Sequence, residues 1–395
     1  MKILILSDKF PPKSFGGAIT IAFNLAKGLQ VQGHKIFVIT TVQDKDEVEK
    51  SEFANLNIFR IYINPYKYFK KWLTLYNPKA ILEIKKIIQE IKPDIIHIHN
   101  IHQYLSYYCL KIAKKYAKAV FLTTHDVMLI NYGKLMPKDG KWLYKIKTYN
   151  PVYNFVIRHY LKYLNKIFAV SNSLKQLLEI NGIKNIKTIY NGIDLGEWQI
   201  KNVEIEDFKK KYNLINKKVI IFSGRLIEAK GGDELIKSLA LVKQKFSNFV
   251  LLVVGKQWAY TEKMKRLANE FGIGDKIIFT DQLEEAELKS AYHGSDISIF
   301  PSLCFETFGM ANLEAMVCKK PVISSFFGGP SEVVVDGETG YLVDPNNIEM
   351  MADKIIDLLR NPEKARKFGE AGYERAKNYF SLNAQIKETM EWYRN

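Results

Sequence analysis

Cysteine is scarce in these 395 residues, and no uninterrupted apolar run approaches the roughly 18 residues that a bilayer-spanning helix needs. Cys109, Cys304 and Cys318 are too few for a disulfide framework and have no metal-ligand spacing, which points to a reducing compartment and to core positions. The amino terminus, Met1-Lys-Ile-Leu-Ile-Leu-Ser-Asp8, enters a strand at once and lacks the layout of a signal peptide. A cytoplasmic protein that neither spans the membrane nor follows that export route is expected. An internal repeat, a low-complexity segment and a nucleic-acid recognition module are also missing, so no nucleic-acid partner is expected. The G-x-G-x-x-G of a dinucleotide fold is absent too, which argues against an NAD-linked oxidoreductase.

Acidic residues are absent from Gly140 to Leu178. Residues 1–190 hold 30 Lys and Arg against 12 Asp and Glu, a net of +18, and the remainder holds 28 against 30, a net of −2. All the excess positive charge is therefore in the first half, which suits contact with an anionic surface. Between Lys141 and Lys166 basic residues interleave with Trp142, Tyr144, Tyr149 and Tyr153, and Tyr66 to Lys79 repeats this with Lys67, Lys70, Lys71 and Trp72. Such a segment fits a helix lying in a membrane interface, with those aromatics as anchors. A helix packed on a sheet with a solvated lysine face fits it equally well.

The chain is long enough for two cores of similar size, and strand-like runs alternate with helical ones almost throughout. That rhythm argues for an α/β fold with parallel sheets covered on both faces. Strands are expected at Lys2–Ser7, Lys35–Thr41, Ile58–Ile63, Asp94–His99, Val120–Thr124, Lys166–Val170 and Lys187–Tyr190. After a polar crossing from Leu195 to Lys218 they resume at Val219–Ser223, Val250–Gly255, Lys276–Thr280, Asp296–Phe300, Pro321–Ser324 and Gly340–Val343. Residues 1–194 form the first domain, which the last helix, 381–395, is expected to rejoin, and residues 195–380 form the second. Asp44-Lys-Asp46 has the D-x-D form of a metal motif but lies in a charged loop, Asp44 to Glu52, and reads as solvated. His97, His99 and His102 are read as structural rather than metal-binding, since no cysteine lies near them.

The most informative stretch runs from Phe300 to Glu314. Pro301 and Ser302 end a strand, and Phe308 to Lys319 has the residues of a packed helix. Amides of that helix's first turn, Phe308 to Ala311, would face an anion such as a diphosphate, with Gly309 allowing close approach. Glu314 lies roughly 7–9 Å further along the axis, so Glu306 and Glu314 can hold hydroxyls at opposite ends of an elongated ligand. Arg225 and Lys230, in the Gly-rich turn after the first strand of the second domain, fit a diphosphate clamp of one guanidinium fork and one point charge, or else a solvated basic turn. Gly16 and Gly17 follow the first strand of the chain, and His125-Asp126 follows the strand Val120–Thr124, all at the carboxyl ends where open α/β sheets bind ligands, although a plain turn fits the glycines equally well and a lone histidine is more often structural.

Taken together, Gly224-Arg225 with Lys230-Gly231, Glu306 and Glu314 as E-x7-E, Gly328-Gly-Pro-Ser-Glu332 and Asp336-Gly-Glu-Thr-Gly340 resemble the retaining glycosyltransferases of family 4. Gly16-Gly17, His125-Asp126 and Asn191-Gly-Ile-Asp194 extend the resemblance over essentially the whole chain, in family order and spacing. It implies a GT-B architecture: two Rossmann-like domains facing each other across a cleft, with a nucleotide-sugar donor held mainly by the second. Arg225 and Lys230 would then bind the diphosphate, Glu314 the ribose, and Glu306 with the amides of Thr307, Phe308, Gly309 and Met310 the transferred sugar. Gly17 would approach the donor phosphates and His125 would sit beside the sugar, with His125 and Glu306 as the catalytic pair. Thr307 stands where many members carry glycine, and no base reader separates a uridine from a guanosine donor. The acceptor would be a glycan or lipid-linked sugar of the cell envelope, reached at the inner face of the membrane. No metal or other cofactor is expected. A nucleotide-sugar epimerase of similar architecture is the nearest rival, though its extra acid/base carboxylates are not evident.

Overall fold

Short apolar runs set the architecture. Ile95–Ile98 and Phe249–Val254 are buried along their whole length, as strands covered on both faces must be. The computed structural model describes all residues but 15, 65–69, 132–134, 137–150 and 395. The chain forms two units, one of Met1–Lys134, Leu143–Gly192 and Leu382–Asn395, the other of Leu135–Trp142 and Ile193–Ser381. The division thus falls two residues before the expected Asp194. Ile193 already pairs with Ser381 and donates its N–H to Phe380 O at 2.9 Å, which draws it into the second unit. Leu135 also groups with the second unit, where its carbonyl accepts from Phe305 N–H at 2.8 Å.

In the first unit the strands are β1 (Lys2–Leu6), β2 (Lys35–Val42), β3 (Glu49–Phe53), β4 (Leu56–Tyr62), β5 (Ile95–Ile98), β6 (Ala119–Thr124), β7 (Lys166–Ala169) and β8 (Ile186–Thr188). They lie in the order β3-β4-β2-β1-β5-β6-β7-β8. The chain runs outward from β1 on one side, then returns to build outward from β5 on the other, so the order reverses between β1 and β5. The helices are α1 (Gly17–Val31), α2 (Lys70–Leu73), α3 (Pro78–Ile91), α4 (Cys109–Tyr116), α5 (Pro151–Leu161) and α6 (Asn172–Ile180). On α1, Ile21, Ala22, Leu25, Ala26 and Leu29 are buried, the stripe expected of a helix on a sheet.

Two expectations need correction here. Part of the charged segment Asp44–Glu52 is not loop, because Glu49–Phe53 is an edge strand antiparallel to β4. Arg60 on β4 is buried, and its guanidinium needs an anion, which Glu49 supplies at 2.6 Å from the facing register position. Asp44 caps the turn before that strand by accepting from Asp46 N–H, so the D-x-D pair closes a turn. The second correction concerns Tyr153. It is no interfacial anchor: it is 3% exposed on α5 and its hydroxyl bonds Thr74 Oγ1 at 2.8 Å. Val152 and Phe155 are the exposed apolar residues of that helix. Lys141, Trp142, Tyr144, Lys145, Lys147 and Tyr149 lie outside the described residues, as does Lys67.

The second unit carries β9 (Lys218–Ser223), β10 (Phe249–Val254), β11 (Ile277–Phe279), β12 (Ile297–Phe300), β13 (Val322–Ser325) and β14 (Gly340–Val343), all parallel, in the order β11-β10-β9-β12-β13-β14. Here the order reverses between β9 and β12. Its helices are α7 (Asn202–Lys211), α8 (Gly232–Lys245), α9 (Ala259–Glu270), α10 (Glu285–Gly294), α11 (Met310–Val317), α12 (Pro330–Val333), α13 (Ile348–Arg360) and α14 (Pro362–Tyr379). The helix expected from Phe308 begins at Met310, because Gly309 takes a left-handed φ of 92° as its N-cap. Among the described residues no helix is long and apolar enough to cross a membrane.

A last helix, α15 (Leu382–Arg394), returns to the first unit and buries Ile386, Met390 and Tyr393 in the cluster that holds Leu25, Phe121 and Phe168. Gly28 of α1 lies so close that a Cβ there would meet Ile386 Cδ1 at 2.1 Å. Met390→Ala is expected to lower the unfolding free energy of the first unit by about 2–5 kcal/mol, the range for truncating a buried Met. Urea unfolding of the full chain measures this, and a change under about 0.5 kcal/mol, the size of an ordinary surface effect, would show that α15 adds nothing to that core.

Candidate functional site

In the second unit the strand order reverses between β9 and β12, and ligands of open α/β sheets bind at the carboxyl ends of such a pair. The loops leaving these two strands carry most of the expected site residues. They are bound to each other: Leu303 N–H donates to Ala229 O at 3.0 Å, and Gly231, with φ 75°, lies where a Cβ would stand 1.9 Å from Pro301 O. Leu226 and Phe308 anchor the two loops in the core. Arg225 points its side chain into solvent from the first loop.

Glu306 is fixed through its backbone. Its N–H donates to Phe327 O at 3.1 Å and its carbonyl accepts from Gly329 N–H at 2.8 Å, so it pairs as a single strand residue with the turn after β13. A Cβ on Gly329 would stand 2.5 Å from Thr307 O, which is why this turn needs glycine there. The Glu306 side chain meets Lys230 Nζ at 2.5 Å, with the two side chains only 18% and 22% exposed. Cys304 Sγ approaches the same carboxylate oxygen at 3.5 Å. Thr307, Phe308 and Gly309 follow directly and lead into Met310 at the start of α11.

Glu314 stands one turn along α11. Its carboxylate accepts from Tyr292 Oη at 3.0 Å, and that hydroxyl also meets Ser223 Oγ at 2.6 Å, so one buried tyrosine on α10 links the end of β9 to α11. Glu314 keeps some surface, yet its carboxylate is crowded enough that lost hydration lifts its pKa to about 7, against the opposing hydrogen bond from Tyr292. Neither Tyr292 nor Cys304 stood out in the sequence. Cys304 had the signal of lying two residues before Glu306, whereas Tyr292 had none.

The first unit has its own reversal, between β1 and β5. Asp8 at the end of β1 is buried and accepts N–H bonds from Gln103, Tyr104 and Leu105 at 2.7, 3.0 and 2.8 Å, which ties down the loop after β5. Burial raises its pKa, opposed by His102 and these amides. Gly16 and Gly17 are exposed at the start of α1. His125 follows β6, half-exposed, with its Nε2 2.9 Å from His99 Nδ1. His97 is sealed by Tyr393 Oη at 2.6 Å and Thr123 Oγ1 at 2.7 Å, and His102 Nε2 lies 3.4 Å from Asp126 Oδ2. Desolvation takes the pKa of both His97 and His125 down to about 3, so the rings are neutral near pH 7. Among the described residues no group of three or more His, Cys, Asp or Glu is placed to hold a metal ion.

The second unit therefore brings Arg225, Lys230, Glu306, Thr307, Phe308, Gly309, Met310 and Glu314 to the loops at its strand-order reversal, whereas in the first Gly17 opens α1 after β1 and His125 follows β6, one strand beyond the reversal. Known protein families match both halves of the chain. Residues 15–197 match the model described as Glycosyltransferase Family 4, and residues 204–375 match that of Glycosyl transferases group 1. An uncharacterized glycosyltransferase of Methanocaldococcus jannaschii, MJ1607, is 26% identical over 90% of this chain and 89% of its own. A GDP-mannose-dependent alpha-(1-6)-phosphatidylinositol monomannoside mannosyltransferase of Mycolicibacterium smegmatis is 31% identical over 42% of this chain and 44% of its own. The crystal structure of a glycosyltransferase from Rickettsia africae superposes with a TM-score of 0.77 at 26% identity, covering 100% of this chain and 97% of that one. With both halves matched in order and two parallel-sheet units of the same class, the chain belongs to the family 4 glycosyltransferases of the GT-B fold.

Proposed function

We propose that this glycosyltransferase moves a hexose from a nucleoside-diphosphate sugar, uridine- or guanosine-linked, to a glycan or lipid-linked acceptor with retention of anomeric configuration. The observation that carries the proposal is the Lys230–Glu306 pair, with Glu314 eight residues on, all around the open carboxyl ends of β9 and β12. A cation, a helix N-terminus and two carboxylates in that order match a ligand with a diphosphate in the middle, a transferred sugar at one end and a ribose at the other. Arg225 and Lys230 would take the diphosphate, Glu314 the ribose hydroxyls, and Glu306 with the amides of Thr307 to Met310 the sugar hydroxyls. Gly17 would approach the phosphates, and His125 would donate a hydrogen bond to the sugar. When the donor enters, Lys230 would turn from Glu306 to the diphosphate, and sugar hydroxyls would replace it on the carboxylate.

In the reaction the bond between the anomeric carbon and the diphosphate oxygen breaks, with its electron pair leaving on the diphosphate. The acceptor hydroxyl bonds to that carbon from the same face and passes its proton to the departing diphosphate. Charge grows on the leaving group, where Arg225, Lys230 and the first turn of α11 would stabilise it without a metal ion. Glu306 would act as a hydroxyl holder, its carboxylate taking sugar hydroxyls in the place that Lys230 occupies in the free protein.

A lipid-linked acceptor is the favoured choice. The first half carries the net positive charge, Phe155 and Val152 are exposed on the basic helix α5, and the partial relative from M. smegmatis is named for a phosphatidylinositol substrate. Each Lys or Arg near an anionic bilayer contributes about 1 kcal/mol.

Glu306→Gln and Arg225→Ala are each expected to stay folded and lose about 10²–10³ in transfer rate, the effect of removing one group aimed at developing charge. Transfer assays with UDP-glucose and GDP-mannose measure this, and near-normal turnover in both variants would reject the assignment.

Donor binding should also weaken with acid. Glu314 must be ionised to accept from two hydroxyls, and its pKa in the free enzyme is about 7, so KM for donor should rise toward tenfold per pH unit below that point. Stability runs the other way. A carboxyl raised above its unfolded value stabilises the free protein fully below about pH 4.3, and that contribution is lost as pH rises through 7. Tyr292→Phe removes the bond that favours the ion and should move the KM inflection upward, while a donor KM independent of pH from 6 to 8 would contradict the ribose role.

Association with lipid is expected as co-flotation with anionic but not neutral vesicles, weakened by salt as the screening length falls below about 10 Å. Phe155→Glu should reduce flotation and leave hydrolysis of the donor by water unchanged. Wild-type protein that stays at the bottom of the gradient with anionic vesicles at low salt would favour a soluble acceptor.

A further inference from the structure

Three neighbouring strands of the second sheet, β9, β12 and β13, are followed at their carboxyl ends by a cation, a carboxylate and an aromatic ring. Lys230 lies in the loop after β9, Glu306 in the loop after β12, and Phe326 is the first residue after β13. Neighbouring strands lie about 4.8 Å apart, so Phe326 belongs to the same crevice as Glu306, one strand further from Lys230. The link is also direct. Glu306 pairs with Gly328 and donates its N–H to Phe327 O at 3.1 Å, so Phe326 adjoins the residue that fixes the backbone of the carboxylate.

Phe326 is 42% exposed, although Ser325 before it and Phe327 after it are buried. A single exposed apolar side chain is ordinary on a protein surface. This one differs in place and in constraint. It stands at the end of a parallel sheet where ligands bind, and the other rings on these loops, Phe305, Phe308 and Phe327, are buried, so Phe326 is the ring with a face to offer. It also meets Phe327 edge to face, with centroids 4.7 Å apart and planes at 76°, an arrangement that aromatic pairs favour. Phe327 thus braces the Phe326 ring with its side chain and holds Glu306 with its carbonyl.

We infer that Phe326 is a specificity-determining residue, the platform on which the apolar face of the transferred hexose rests while Glu306 holds hydroxyls at its rim. This deepens the proposed function and rests on Glu306 being the sugar holder. A pyranose carries hydroxyls around its edge and C–H groups on its faces, and those hydrogens, slightly positive, suit the negative face of an aromatic ring. The two groups read different things. A carboxylate reads where the hydroxyls are, and a ring reads whether a flat patch of C–H is presented, so a hydroxyl projecting from the stacked face is turned away. A phenyl ring offers nothing to a diphosphate, so its contribution is confined to the sugar.

Calorimetric titration of the full chain without acceptor tests this, comparing UDP with UDP-glucose and GDP with GDP-mannose. Phe326→Ala is expected to weaken binding of the nucleotide sugar by about three- to tenfold, the scale of one aromatic contact, and to leave binding of the free nucleoside diphosphate unchanged. Phe326→Tyr and Phe326→Trp keep a ring and should bind the nucleotide sugar as the wild type does. Phe326→Leu keeps apolar bulk against Phe327, so it should fold even where the alanine variant does not, and it should show the same selective loss. Nucleotide-sugar affinity unaltered in the alanine and leucine variants overturns the inference. Equal weakening of both ligands, or leucine binding as tightly as tyrosine, also overturns it, since the ring would then serve the fold or supply apolar bulk alone. Each of those results leaves the functional reading intact, whereas wild-type protein that binds none of the four ligands rejects that reading and the inference with it.

Discussion

Everything at the candidate site depends on one topological constraint, the reversal of strand order between β9 and β12. Parallel crossovers cover the faces of a sheet, and where successive crossovers run in opposite directions the loops at the carboxyl ends splay apart and leave a crevice. The polar groups that the core cannot accept collect there. Lys230 and Glu306 reach each other only because their loops leave adjacent strands, although 76 positions separate them in sequence. The hydrogen bond from Leu303 to Ala229 and the contact of Gly231 with Pro301 then hold the two loops at a fixed spacing.

The two units solve the same problem with different chemistry. In the second, ionised groups stand partly exposed and neutralise each other, so a ligand can replace one partner at modest cost. In the first, the corresponding reversal holds Asp8 buried under three amides and a row of uncharged imidazoles that shares out a small number of protons. A charge-rich crevice suits binding of an anion. A desolvated hydrogen-bonded row suits the holding of one group in one orientation.

Much of this was legible in the sequence, for a physical reason. Strands buried on both faces read as continuous apolar runs, so Ile3–Leu6, Val38–Ile39 and Leu251–Val253 could hardly be anything else. β3 escaped because an exposed edge strand has no buried face to impose a pattern, and Glu-Lys-Ser-Glu looks like solvated loop until Arg60 is seen beneath it. The face of α5 was misassigned because aromatic and basic residues in one helix do not say which side meets the protein, and Tyr153 is held inward by a hydroxyl 79 positions away. Glu306 and Glu314 were found through their spacing on one loop and helix. Tyr292 and His99 act across neighbouring elements, and no spacing along the chain records that.

The return of α15 to the first unit has a consequence for how the polypeptide is made. His97 receives a hydrogen bond partner from Tyr393, 296 positions later, and the cluster around Phe121 and Phe168 is closed by Ile386 and Met390. A ribosome delivers these side chains only after all of β9 to β14 has emerged. The unit that begins first in translation is thus the one that finishes last, and the second unit can fold while its predecessor still exposes an unfilled groove along α1.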